Sequence, residues 1–429
     1  MADHIIKGMK QSRLFTKTRK EAPADEVSRN AELLVRGGFV HKELAGVYSY
    51  LPLGLRVLRK IENIVREEMD KVGGEEVLMS SFQPKENWEK TGRWEAMTDL
   101  YKVKDSSERE VALGPTHEEI VVPILKNYVS SHKDFLSGGS IAVYQIQNKF
   151  RMELRAKSGM IRGREFMMKD MYSFHPSKED FEKFYNKMKE VYKTIFTRVG
   201  IGHLTYLTFA SGGTFSKYSH EFQTVSGAGE DTIYIDEASG TAVNKEILND
   251  EILGQLNLKK EKLAEHKSIE VGNIFDLKTK YSKPFDLSFT DKKGAKHDVL
   301  MGCYGIGLSR LMGAVVEVAS DDKGIIWPDS IAPFKVHLLS LGEDEAASKQ
   351  AEKIYETLIK NNIEVLFDDR EGVTAGEKFA DSDLLGIPLR AVVSERSISE
   401  GGIEIKRRNE KKGKIVSEKE LLDLLKPQV

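Results

Sequence analysis

The stretch from Ile141 to Phe174 constrains this chain most, because it reads as two strand-like runs joined by a basic, glycine-containing loop. From Ile141 to Glu153 the residues alternate: Tyr144, Ile146 and Phe150 fall on one face, and Gln145, Gln147, Lys149, Arg151 and Glu153 on the other. One face is expected to pack and the other to be polar. Between Leu154 and Arg164 stand Arg155, Lys157, Arg162 and Arg164 with Gly159 and Gly163, and Glu165 to Phe174 reads as a second strand. The unit predicts a long hairpin.

At 429 residues the chain is long enough for two or three domains, since single cores stop growing near ~250 to 300 residues. Leu55, Leu58, Ile61, Val65, Met69 and Val72 recur at helical spacing after Pro52, and Gly73-Gly74 ends that helix before a predicted strand, Glu76 to Phe82. Residues 236–270 are polar and mixed, with a short surface helix expected over Glu251 to His266. Asp298 to Tyr304 reads as a strand, Gly302, Gly305 and Gly307 punctuate a turn, and Leu308 to Val318 returns to helical spacing. Pro328 and Pro333 interrupt both periodicities and suggest a boundary between residues 1–330 and 331–429. Beyond it, strands at Val336–Leu341, Glu364–Phe367, Leu389–Val393 and Gly402–Arg407 alternate with helices at Ala346–Lys360, Ala375–Leu385 and Glu418–Leu425. That pattern predicts a small α/β domain.

The 65 Lys+Arg against 67 Asp+Glu leave a formal charge of -2, so binding of a nucleic acid would depend on local basic clusters. Cys303 is the single cysteine, which excludes an internal disulfide framework and makes a zinc site unexpected. No run approaches the ~20 apolar residues of a spanning helix, and Met1 to Phe15 carries charges where a signal peptide has an apolar core. The expectation is a cytoplasmic protein with no membrane partner.

Three stretches carry possible chemistry. Arg151 and Glu153, two apart on the first predicted strand, would share a side, where a guanidinium holds a phosphate and a carboxylate accepts from an amine. An exposed cross-strand ion pair is the plainer reading of the same residues. The loop that follows can close over a polyphosphate, or be a solvated turn. Leu113 to Glu119 places the Thr116 hydroxyl and the Glu118 carboxylate in a turn that enters a helix at Ile120, suited to an ammonium group or simply to a capped helix start. Gly302 to Arg310 lets the backbone approach a ligand and sets Arg310 in the first turn of a helix. It is neither a Gly-Lys-Ser/Thr phosphate loop nor a dinucleotide fingerprint. Cys303 reads as a small buried hydrophobe and not as a nucleophile.

As a set, Gly114-Pro115-Thr116-His117-Glu118-Glu119, Phe150-Arg151-Met152-Glu153, Ser219-His220-Glu221-Phe222 and Gly302 to Gly307 resemble the prolyl-tRNA synthetases of bacterial type. The resemblance runs from about Asn30 to the end and takes in Gly92-Arg93-Trp94 and Asp368-Asp369-Arg370. It implies a multidomain α/β and α+β class II synthetase: an antiparallel catalytic sheet flanked by helices, a C-terminal α/β anticodon-binding domain, and a homodimer. ATP with Mg²⁺, proline and tRNA(Pro) are the implied ligands.

By similarity, Arg151 would bind the α-phosphate, Glu153 the adenine amino group, Phe166 the adenine ring and Arg162 the β,γ-phosphates. Arg310 would hold the terminal phosphate from the other side, so Arg151 and Arg310 are the expected catalytic pair. Thr116 and Glu118 match the loop that holds the amino group of proline, and Met168, His175, Phe222 and Cys303 fall where the family walls its ring. Glu221 is the candidate Mg²⁺ ligand. In the last domain Arg370, Lys378, Lys406 and Arg407 are candidates for tRNA, with a solvated face as the alternative.

The chain departs from the family in four places. Ser80 follows Met79 where a proline is usual, Thr214-Phe215-Ser216 replaces Ile-Gly-Gly, and Asn273 stands where a histidine is common. Residues 236–270 are also too short for the insertion that usually hydrolyses alanyl-tRNA. Hydrophobic contacts discriminate by only ~1 to 3 kcal/mol per methylene, so alanine is expected to leak into the pocket without editing in cis, with a separate Ala-tRNA(Pro) deacylase as a possible partner. A threonyl or seryl synthetase, a freestanding editing protein and a tRNA-binding protein with dead chemistry are the competing readings. Arg151, Glu153 and Arg310 together argue against the last two.

Overall fold

In the computed structural model, which describes residues 7–426 apart from 23–25, 136–138, 155, 157, 214, 216–217 and 343, the apolar spacing after Pro52 forms helix α1 (Pro52–Lys71). Arg155 and Lys157 of the basic loop, and Thr214 and Ser216, lie outside the described residues. Gly73, in the left-handed region at φ 85°, ends α1. Strand β1 (Glu75–Glu76) then pairs in parallel with β2 (Ile141–Phe150). The predicted strand Glu76 to Phe82 is not continuous. Its backbone is held instead by side-chain amides: Met79 N–H donates to Gln145 Oε1 at 3.0 Å, and Gln147 Nε2 donates to the Met79 carbonyl at 2.7 Å. Pairing resumes only at Phe82–Pro84.

Helix α2 (Glu118–Lys126) starts where the Thr116 turn predicts a helix. Strand β2 and strand β3 (Glu165–His175) form the expected long hairpin, in register from Ile141 opposite Phe174 to Phe150 opposite Glu165. The strand stops at Phe150, before Arg151 and Glu153. Arg151 N–H donates to the Arg164 carbonyl at 2.9 Å, and Glu153 N–H turns back to the Arg151 carbonyl at 2.8 Å, so these two residues sit on a turn and not on a shared strand face.

Helix α3 (Lys178–Arg198) is followed by β4 (Thr205–Ser211), β5 (Tyr218–Val225), β6 (Asp231–Asp236), β7 (Thr241–Asn244), β8 (Leu263–Lys278), β9 (Leu300–Gly307) and α4 (Leu308–Val318). The helix expected over Glu251 to His266 ends at Gln255, because Asn257 takes φ 53° and Leu263 opens β8. Nine strands form one largely antiparallel sheet in the order β5-β4-β7-β6-β8-β9-β3-β2-β1, with β5 also pairing β8. Gly302, Gly305 and Gly307 lie inside β9, none at positive φ, so they make no turn. Helix α3 packs across β3 and β9.

The second sheet is built from β10 (Val336–Ser340), β11 (Val365–Asp368), β12 (Leu389–Val393), β13 (Ile403–Arg407) and β14 (Lys414–Val416), with α5 (Glu345–Lys360), α6 (Ala375–Leu385) and α7 (Glu418–Leu425). The four predicted strands and three predicted helices are all present, and β14 is added. Leu338, Ile354, Val365, Ala391 and Leu421 form its buried core. The chain divides into two compact units: Lys42–Tyr48 with Ile61–Val315, and Met1–His41 with Ser49–Lys60 and Val316–Val429. The second unit takes in residues before the sequence boundary at 330, among them the strand Gly8–Lys10, which pairs in parallel with β11 as the edge of the second sheet.

Candidate active site

Strand alternation sorts the site. On β3, Phe166, Met168 and Asp170 border a cavity of about 120 Å³, and on β9 Cys303, Gly305 and Gly307 do the same. Thr116, Phe215, Phe275, Arg151, Arg310 and the β8 residues Glu270 to Asn273 also line it. A Cβ at Gly305 would meet only Met168 Sδ, at 4.0 Å, so the glycine leaves room for a ligand. The opposite residues of the same strands face α3: Lys169 Nζ donates to Tyr192 OH at 2.7 Å, and Tyr304 packs on Phe184.

Two residues of the polar face of β2 are buried. Gln145 and Lys149 are fully covered, each with partners: Gln145 Nε2 donates to Asp170 Oδ2 at 3.0 Å and Lys149 Nζ lies 2.7 Å from Asp170 Oδ1. At the same end Thr116 Oγ1 donates to Glu118 Oε2 at 2.5 Å, and Arg93 reaches Glu119 at 3.0 Å and Glu118 at 3.6 Å. Burial raises Glu119 to about 6 against the pull of Arg93. Among these buried side chains three carboxylates (Glu118, Glu119, Asp170) meet two cations (Arg93, Lys149). Glu118 Oε1 has no hydrogen-bond partner. The arrangement lacks one positive charge, which an ammonium would supply.

Arginines mark the other end. Arg151 is half-buried, and its Nε is buried with no hydrogen-bond partner; desolvation, then the like charge of Arg310, lowers its pKa. Arg310 donates to the Ile161 carbonyl at 2.7 Å and to Glu270 Oε2 at 3.1 Å. Both arginines border a second cavity of about 260 Å³ with Glu153, Arg162, Glu230 and Asp231. Two guanidiniums held close at a cavity wall, one short of partners, suit a polyanion. Phe166 lies under Arg151, with the guanidinium 5.3 Å from its ring. Arg162 is tied to Glu153 and Glu230, both at 2.8 Å.

Four predicted site residues stand elsewhere. His175, an odd-numbered residue of β3, faces α3: its ring bonds Asp180 at 2.6 Å and Ser173 at 2.7 Å. Phe222 packs on Tyr192 and Phe196 of α3, with ring centroids 5.0 and 5.3 Å away. Neither borders the cavity that holds Met168 and Cys303, because a period of two turns both to the helix side. In the second unit, Lys378 is buried with Nζ on the Ser340 carbonyl at 2.8 Å, and Arg370 is bound to Asp368 and Asp381, at 2.7 and 2.8 Å. Lys378 is tied up inside the domain, and the half-buried Arg370 is held by its two carboxylates. Lys406 and Arg407 are half-exposed.

Glu221 lies on β5, accepting from Gln223 at 2.9 Å, Asn244 at 3.2 Å and Asn273 at 3.3 Å. Burial, and next Glu270, push it up to about 8. Asn273 also donates to Glu270 at 3.0 Å, a bridge that accounts for an amide where a histidine is common. Among the described residues no cluster of three histidine, cysteine or acidic side chains is arranged to hold a metal alone. Glu221 and Glu270 repel each other, which a divalent cation would relieve, so they fit one held jointly with phosphate oxygens. Ser80, at the usual proline position, makes a local bond from Oγ to the Phe82 carbonyl.

Sequence reasoning placed Phe215 in a bulky loop bordering the substrate, and missed Asp170, Glu270 and Phe275 as cavity residues and Arg93 and Lys149 as the counter-charges of Glu119 and Asp170. Phe166 and Met168 were assigned to the site, so alternation alone could have found Asp170. Phe215 and Phe275, with rings 4.7 Å apart, meet only across strands.

Residues 101–319 match the tRNA synthetase class II core domain (G, H, P, S and T), and residues 335–428 match an anticodon binding domain. The chain is 39% identical over 417 residues to a proline–tRNA ligase of Wolbachia sp. subsp. Drosophila simulans, covering 93% of this chain and 95% of that protein. It is 33% identical to the proline–tRNA ligase of Geobacillus sp. (strain WCH70), covering 97% and 99%. That alignment spans 569 positions against 429 residues here, so the Geobacillus protein has long stretches without a counterpart in this chain. The fold is similar to prolyl-tRNA synthetase from Cryptosporidium parvum complexed with halofuginone and AMPPNP, with a TM-score of 0.75, 17% identity and coverage of 92% and 75%. It is also similar to Giardia lamblia prolyl-tRNA synthetase in complex with prolyl-adenylate, with a TM-score of 0.74, 20% identity and coverage of 91% and 74%. Core, anticodon-domain match and near full-length identity agree: the chain belongs to the proline–tRNA ligase family of class II aminoacyl-tRNA synthetases.

Proposed function

We propose that the cavity between Glu118 and Arg151 forms prolyl-adenylate from proline and ATP, and that the enzyme then transfers proline to the 3′ end of tRNA(Pro). The observation that carries this is one cavity lined at one end by Thr116, whose hydroxyl bonds the buried Glu118 behind it, and at the other by Arg151 and Arg310. Proline's ammonium would sit on Glu118 and Thr116, with its ring against Met168 and Cys303. Its carboxylate would then face the α-phosphate. No general base is needed, because the attacking carboxylate is already ionised. Arg151 and Arg310 would stabilise the charge that builds on phosphorus oxygens, and in-line positioning does the rest. Phe166 and Glu153 are assigned to adenine and Arg162 to the outer phosphates. Mg²⁺, held by ATP with Glu221 and Glu270, would neutralise phosphate charge when bound.

We assign residues up to 330 to aminoacyl activation and those beyond to anticodon binding, with Lys406 and Arg407 as phosphate contacts. Leu78 and Phe82 are large and exposed, which supports a homodimer through that segment. Residues 236–270 are occupied by strands and one short helix, which supports the absence of editing in cis, with correction left to a separate deacylase. No helix among the described residues is long and apolar enough to cross a membrane; a cytoplasmic location is part of this reading. ATP–pyrophosphate exchange with each amino acid tests it. Exchange driven by proline and lost in Arg151→Ala supports the assignment, and exchange driven by threonine or serine instead, or by none, rejects it.

A further inference from the structure

Beneath the Thr116–Glu118 turn, three hydrogen bonds and one ion pair run in a closed cycle. The His117 backbone N–H donates to Tyr172 OH at 2.8 Å, and Tyr172 OH donates to Asp170 Oδ2 at 2.9 Å. Asp170 Oδ1 pairs with Lys149 Nζ at 2.7 Å, and Lys149 Nζ lies 2.8 Å from His117 Nδ1. The cycle thus returns to the residue where it began. All four side chains are buried, and Asp170 borders the cavity. An ammonium is a donor only, so His117 Nδ1 must accept, and the proton is left on Nε2, which donates to the Ser80 carbonyl at 3.0 Å. One tautomer and one ring orientation are therefore enforced.

The two residues flanking His117 are those assigned to the substrate. A shift of His117 moves Thr116 and Glu118 with it, because they adjoin it in the backbone and Glu118 opens α2. Lys149 also offsets the charge of Asp170, and the single Arg93 is shared by Glu119 and Glu118, so the turn keeps one net negative charge. We propose that Lys149, Asp170 and Tyr172 are positioning residues for the amino-acid site: they hold the Thr116–Glu118 turn in place and restrict it to one negative charge, so that it selects a single ammonium. This rests on the reading that Glu118 receives proline's amino group.

Steady-state ATP–pyrophosphate exchange with the full chain tests it, using Tyr172→Phe, Lys149→Met and Glu118→Gln. Tyr172→Phe removes one hydroxyl and keeps the ring. It is expected to raise the KM for proline about tenfold, the effect of one lost hydrogen bond, with the KM for ATP changed less than about twofold. Lys149→Met should raise it further, and if that variant does not fold, Tyr172→Phe still decides. The positioning role is overturned if Glu118→Gln raises the proline KM while Tyr172→Phe leaves it unchanged, or if Tyr172→Phe moves both KM values together as a general loss of structure would. An unchanged proline KM in Glu118→Gln instead overturns the amino-acid site itself, and the proposal falls with it.

Discussion

Arg162 grips Glu153 through two nitrogens, Nε at 2.9 Å and Nη2 at 2.8 Å, so the residue assigned to the outer phosphates and the one assigned to adenine neutralise each other. ATP binding would have to open this clasp and the second one to Glu230. Partly exposed pairs contribute little, about 0 to 1 kcal/mol. Glu230→Gln is therefore expected to lower the KM for ATP by no more than about fivefold, measured in pyrophosphate exchange at fixed proline. A higher KM would mean that Glu230 helps to hold the nucleotide.

Arg151 is less replaceable. It is half-buried at the cavity wall it shares with Arg310, with an unsatisfied Nε, and a lysine offers no planar fork to a phosphate. Arg151→Lys is expected to cut kcat for exchange by about 10²-fold or more, with a thermal midpoint close to that of the parent.

The Glu221 carboxyl provides a pH signature. Its pKa is about 8 in the folded chain against 4.5 ordinarily. Between those values the native state binds the extra proton, so stability falls as pH rises from 4.5 to 8 and the penalty is complete above 8. Glu221→Gln mimics the protonated form. It should stabilise the protein at pH 8 by at least about 1 kcal/mol and change little near pH 4.5. Mg²⁺ with ATP should narrow the gap at pH 8, since a cation favours the parent's carboxylate; thermal melts with and without both would show it.

Selectivity follows from the cavity. Met168, Cys303, Phe215 and Phe275 surround it, and apolar walls reject a smaller side chain by only ~1 to 3 kcal/mol per methylene. Alanine should therefore drive measurable exchange at a kcat/KM some 10²- to 10⁴-fold below that of proline. No hydrolysis of Ala-tRNA(Pro) by this chain is expected in a deacylation assay.

In the C-terminal unit the buried Lys378 and the half-exposed Lys406 and Arg407 should behave differently. Lys378→Met leaves the Ser340 carbonyl without its donor and is expected to cost about 1 to 3 kcal/mol in denaturant unfolding. Lys406→Ala and Arg407→Ala should leave stability nearly unchanged and weaken tRNA binding, each reducing the salt dependence of log K by about one unit of slope.

The sequence by itself determined the elements. Spacings of 3.6 placed α1, α4 and the three helices of the C-terminal unit, because each buries one apolar stripe. Alternation placed the β2–β3 hairpin, and the four motif strings identified the family and, with Arg310 just beyond the last of them, nominated Arg151, Arg310, Thr116 and Glu118. Only the tertiary structure decided which face of each strand the ligand cavity uses. His175 and Met168 look equivalent in one dimension, yet an odd separation on β3 sends one under α3 and the other into the cavity. The buried polar side of β2 was equally hidden: Gln145 and Lys149 resemble solvated residues until Asp170 and His117 arrive from other elements to pair with them. The strand Gly8–Lys10 joined the second sheet for the same reason. A lone edge strand has no local signature, and its partner β11 lies more than three hundred residues away in sequence.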